Sequence, residues 1–161
     1  MREKLIQRMK DVFGEDEKRI NHALAVLKYA EQIHKVEGGD SNVITAAAIL
    51  HDIGIHEAER KYGSAAGKYQ ELEGPPIARN ILKDEGFASE TIEHVCKIIA
   101  NHHTAINIDT LEFRVLWDAD WLVNIPDELD LTQTYKLARF IKKISRQIQE
   151  EESRESFISV K

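Results

Sequence analysis

A chain of 161 residues, 42% hydrophobic and 31% charged, is long enough to bury the core of one domain without disulfides, and its lone Cys96 excludes an internal one. The formal charge of −6, from 22 Lys plus Arg against 28 Asp plus Glu, argues against a broad nucleic-acid or anionic-membrane surface but permits a small anionic substrate held by a few local cations. No apolar run approaches the roughly 20 residues of a membrane span, and the charged amphipathic start from Met1 to Lys10 is unlike a secretory leader, so the expectation is a cytoplasmic protein in a reducing compartment.

Leu5, Ile6, Met9, Val12 and Phe13 recur at helical spacing before Gly14, which predicts a first amphipathic helix covering the core. Asp16 caps a second, where Ile20, Leu24, Leu27 and Ala30 form one apolar stripe and His22, Val26, Tyr29 and Ile33 the adjoining one, before Gly38-Gly39 ends it. A histidine thus lies on a wide buried face. Asp40 and Ser41 open an uncharged run from Val43 to Leu50 that reads as a fully buried helix, delivering His51 and Asp52 from the interior and stopping at Gly54. From Ile55 to Gly74 the pattern breaks into a polar, glycine-punctuated stretch, which predicts a structured loop containing Lys61, Lys68 and Gln70.

Gly74-Pro75-Pro76 starts a helix carrying Ile77, Ala78, Ile81 and Leu82 as far as Gly86. Ser89 caps the next, with Ile92, Val95, Cys96, Ile98 and Ile99, which closes on His102 and His103. Asp109-Thr110-Leu111-Glu112 has the form of a capping box, and the helix behind it holds Trp117, Asp118, Asp120 and Trp121 and ends near Pro126. A last helix from about Leu131 carries Leu137, Ile141, Ile144 and Ile148, and residues 150–161 form a frayed tail. With no useful β-alternation and no repeat, the expectation is an all-α, single-domain bundle of about six or seven helices over residues 1–161, its core at about 16–149.

Burying an imidazole beside a carboxylate is costly unless something satisfies both, and a divalent cation does so with nitrogen and oxygen ligands at once. His22, the His51-Asp52 pair and Asp118 or Asp120 all stand in apolar helical surroundings. On a helix Asp120 aligns with Leu116 and Val123, whereas Asp118 aligns with Arg114 and Leu122, which favours Asp120 as the inward residue.

His22, then His51-Asp52-Ile53-Gly54, then Ala119-Asp120-Trp121-Leu122 resembles the HD superfamily of metal-dependent phosphohydrolases. That resemblance implies His22, His51, Asp52 and Asp120 as ligands of one divalent metal (Mn, Mg, Fe, Co, Ni or Zn), with Asp52 also orienting a water and Asp118 orienting a ligand. It also implies a small phosphorylated metabolite, such as a nucleotide, as substrate, with His102 or His103 touching it or serving as general acid. Two departures stand out. Gln70 occupies the position where two-metal relatives carry a further histidine, and Ile55 stands where many relatives have a phosphate-binding lysine, which leaves Arg19, Lys61, Lys68 and Arg79 as the nearest replacement cations. His56 and Glu57 read as ordinary loop residues, and Trp117 and Trp121 as packing rather than a base-stacking platform. The alternatives are a ligand-binding regulatory module that keeps the ligands without turnover, and a dinuclear-iron oxygenase on the same scaffold, against which Gln70 argues. Oligomeric state has no signature in the chain.

Overall fold

The computed structural model describes residues 1–128, so the helix expected from Leu131 and the tail at 150–161 lie outside the described residues. Among these the chain is all-α: α1 (Arg2–Phe13), α2 (Glu17–Glu37), α3 (Ser41–Leu50), α4 (Ile55–Tyr62), α5 (Gly67–Asp84), α6 (Ser89–Ile99) and α7 (Leu111–Glu128). Met1–Val123 form one compact unit, and the segment from Asn124 belongs to a second. No helix among the described residues is long and apolar enough to cross a membrane.

The uncharged α3 is the centre of the first unit. Its three consecutive alanines, Ala46, Ala47 and Ala48, are fully buried, and small side chains let neighbouring helices approach closely. Accordingly α3 packs against α1, α2 and α6, while α5 lies along α4 and α6. Asp40 caps α3 by accepting from the backbone N–H of Asn42 and Val43, and Asp16 caps α2 through the N–H of Arg19. As expected, α1 covers the core with Leu5, Ile6, Met9 and Phe13 and turns at Gly14, whose φ of 60° suits a residue without Cβ. Tyr29, assigned above to an apolar stripe of α2, is exposed instead.

Three local expectations are corrected. The stretch from Ile55 to Gly74 is largely helical, because α4 follows the His51-Asp52 turn directly and α5 begins at Gly67, one and a half turns or more before the prolines. Pro75 and Pro76 therefore sit inside α5 rather than at its start. The reason is tertiary: a Cβ on Gly54 would lie 2.5 Å from the Gly74 backbone nitrogen, so two bare glycine backbones cross there and α5 is held against the α3–α4 turn on both sides of its prolines. Second, Ser89 makes no capping bond and is the first helical residue of α6, after Ala88. Third, Thr110 rather than Asp109 accepts from the N–H of Phe113 at the start of α7. Glu112 does not close a box but accepts from the Asp40 backbone N–H at 2.9 Å, tying the start of α7 to the start of α3, and α7 continues past Pro126.

Candidate metal centre

His22 comes from the middle of α2, His51 and Asp52 from the turn that ends α3, and Asp120 from α7. Their reactive atoms meet. His22 Nε2 lies 3.0 Å from Asp120 Oδ1 and 3.6 Å from Asp52 Oδ2. His51 Nε2 lies 3.3 Å from His22 Nε2, 3.4 Å from Asp52 Oδ2 and 3.7 Å from Asp120 Oδ1. The His51 side chain is 1% exposed, and the other three lie between 15% and 21%, so the knot opens to solvent on the side away from α3.

The hydrogen bonding decides which ring nitrogen points inward. His51 Nδ1 lies 3.0 Å from the Ala48 carbonyl, which only accepts, so Nδ1 carries the proton and a neutral ring presents the Nε2 lone pair to its neighbours. A lone pair facing two carboxylates is a set of acceptors without a donor, and a cation resolves it. Spacing agrees: ligands about 2.1 Å from one ion sit roughly 3.0–3.5 Å apart in octahedral or tetrahedral arrangement, the range in which these atoms lie. The residues present therefore fit a divalent metal, and the carbonyl end of α3 adds a favourable dipole.

The titration of these groups carries the same message. Burial pushes His51 down, but Asp52 and then Asp120 overcome it and raise its pKa from 6.5 to about 9. Burial likewise opposes ionisation of Asp52, yet His51 and His102 hold it well below the ordinary carboxylate range. Asp120 also stays below that range because His22 outweighs its desolvation. In the protein alone, a proton supplies the positive charge that the site recruits.

Asp52 faces two ways. While Oδ2 meets His22 and His51, Oδ1 lies 3.4 Å from the buried His102 Nε2, and Asp52, His102 and His103 offer atoms within 4.8 Å of one another. His102 Nδ1 donates to the Ile99 carbonyl at 2.7 Å, so its Nε2 is again the inward lone pair, with no aligned hydrogen bond among the described residues. Burial, and the neighbouring His102, lower the pKa of His103. Gln70 is buried on α5, where its amide donates to the Ala65 carbonyl at 2.7 Å and its Oε1 has no partner among the described residues.

Other candidates are placed differently. Asp118 is exposed and lines an open cleft of about 780 Å³ with Trp117, Arg114 and Lys97, and none of the four clustered residues lines that cleft. Arg19 is engaged by Asp16 and Glu59, and Lys61 by Glu73 and Glu57, whereas Lys68 is exposed and stands over the Tyr69 ring without a carboxylate partner among the described residues. Arg79 is bound by Glu93. His56 bonds Asp16 at 3.1 Å, Trp117 packs on Phe113, and Trp121 is 49% exposed.

Sequence reasoning missed Glu71 and Gly67. Glu71 Oε1 accepts from the backbone N–H groups of His103 and Thr104, and a Cβ on Gly67 would lie 2.7 Å from the His103 ring. A glutamate and a glycine in a polar stretch carry no signal of such partners, which lie some 30 positions away, |i−j| being 32 for Glu71 and His103.

A family model described as HD domain matches residues 19–146. A crystal structure of a predicted HD superfamily hydrolase from an uncultured Thermotogales bacterium is similar in fold, with a TM-score of 0.62 and 24% identity over 91% of this chain and 90% of that one. No curated protein matches the chain.

Proposed function

From the premise that the chain belongs to the HD-domain family, whose model spans residues 19–146, we propose that it is a metal-dependent phosphohydrolase acting on a small phosphorylated metabolite, with nucleotides the first class to try. The observation that carries this reading is the meeting of His22, His51, Asp52 and Asp120 at ligand-like separations of 3.0 to 3.7 Å, with the His51 lone pair turned inward.

A divalent ion held by those four residues supplies Lewis acidity toward a phosphoryl oxygen and lowers the pKa of an adjacent water. The protein does the rest. Asp52 Oδ1, on the His102 side, orients the attacking water, and His103, whose pKa burial and His102 keep low, takes a proton from it. The bond from water oxygen to phosphorus forms as the bond from phosphorus to the leaving oxygen breaks, and His102 Nε2, when protonated beside Asp52, gives that oxygen its proton. Lys68 is the cation best placed to meet a substrate phosphate, since Arg19 and Lys61 would first have to leave their carboxylates. A buried, free Cys96 suits a reducing, cytoplasmic setting.

The test is a panel of phosphorylated metabolites assayed for phosphate release with Mn, Mg, Co, Ni, Zn and Fe in turn. Turnover that disappears in a folded His51→Ala variant supports the hydrolase. No turnover of any compound with any metal would move the reading to a non-catalytic binding module. The grouping of Asp52, His102 and His103 favours a second reading, with a second cation on the other side of Asp52 and dinuclear-iron oxygenase chemistry. Metal analysis separates them: one equivalent per chain supports the single-metal hydrolase, and two of iron with oxygen consumption support the oxygenase.

A further inference from the structure

The loop that carries His102 and His103 lies beyond the last helical residue of α6, so no helix of its own fixes its backbone. It is fixed from α5 instead. Glu71 Oε1 accepts from the backbone N–H of His103 at 2.9 Å, the backbone N–H of Thr104 at 2.9 Å and the Thr104 hydroxyl at 3.0 Å, so one oxygen gathers three donors from two adjacent residues. One turn earlier on α5, the His103 ring occupies the space where a Cβ on Gly67 would stand. From the other side, the His102 ring lies 4.0 Å, centroid to centroid, from that of His103 and is itself fixed by its bond to Ile99. Backbone clamp, bare glycine floor and neighbouring ring together leave His103 little freedom beside Asp52.

We infer that Glu71 is a positioning residue, whose carboxylate clamp on the His103–Thr104 backbone sets the His103 ring opposite Asp52. The inference rests on the proposed hydrolase reading for its effect on turnover, but the clamp itself can be measured without substrate. The interaction needs an acceptor more than a charge. Glutamine keeps an Oε1 that can take the same three donors, whereas alanine removes all of them.

The experiment compares Glu71→Ala and Glu71→Gln in the full chain loaded with Mn. In Glu71→Ala, kcat on the substrate found by the panel is expected to fall on the order of tenfold to a hundredfold with KM little changed, because a displaced catalytic group loses alignment rather than binding. Glu71→Gln is expected to recover most of that loss, and Mn affinity at the cluster of His22, His51, Asp52 and Asp120 to stay as in the parent. By NMR, exchange of the His103 and Thr104 amide protons should quicken on the order of tenfold in Glu71→Ala, and the His103 ring signals should shift. Unchanged exchange and ring signals in Glu71→Ala would overturn the inference, as would an unchanged kcat where the parent turns over. If the parent turns over no compound, the hydrolase reading falls while the NMR comparison still decides the clamp.

Discussion

At the scale of single residues, the metal-free site is held together by a proton on His51, and this has a pH signature. Its pKa in the folded chain is raised from 6.5 to about 9, with burial opposing and Asp52 and Asp120 prevailing. Because the folded value exceeds the unfolded one, the stability it contributes is complete below about pH 6.5 and is lost as pH rises through about 9. Chelated protein unfolded by denaturant at a series of pH values should therefore weaken across that window, and saturating divalent metal should remove the trend, since binding displaces the proton. A chelated protein equally stable throughout would contradict the arrangement. The two aspartates of α7 make a second residue-scale pair. Asp120→Asn should weaken metal binding on the order of a hundredfold or more, given that even partners behind a ligand count for about ten- to a hundredfold, while Asp118→Asn, on the exposed face, should leave it unchanged in titration calorimetry.

At the scale of elements, the position of the His51-Asp52 turn depends on two helices crossing with glycine on each side. A methyl group on Gly54 would meet the Gly74 backbone, which has no side chain to swing away, so Gly54→Ala is expected to destabilise the fold by about 1–3 kcal/mol and to weaken metal binding as the turn is pushed from α5. Gly54 has a φ of −82°, so any such loss reports crowding and not backbone strain. An unaltered melting temperature would show that α5 can retreat without penalty. The cap on α2 is simpler: Asp16→Ala removes the bond to the Arg19 N–H and should cost about 1 kcal/mol in denaturant unfolding. The crossing also explains why the chain from Ile55 to Gly74 reads as a loop. Prolines at 75 and 76 and glycines at 63, 67 and 74 point locally to interruption, and only contact with the α3–α4 turn outweighs them.

At the scale of the whole molecule, four side chains brought from α2, the end of α3 and α7 make metal binding and folding one linked equilibrium. A divalent ion at a hundred times its dissociation constant should add about 2.7 kcal/mol, or about 5–10 °C in melting temperature for a chain of this size, and His51→Ala should abolish the gain. An equal rise in that variant would place the stabilising ion elsewhere. Much of this was legible in the chain by itself. The apolar run of α3 ending in His51-Asp52, the stripe around His22 and the capping residues Asp16 and Asp40 are local patterns, set by side-chain polarity at helical spacing, and they fixed the all-α class and the residues worth watching. Tertiary structure alone decided that Asp120 meets the histidines and Asp118 does not, that Arg19 and Lys61 are taken by carboxylates, and that Glu71 and Gly67 hold His103. Those outcomes depend on how α5, the His102–Thr104 turn and α7 are packed, and a pairing between residues distant in sequence leaves no periodicity for local chemistry to reveal.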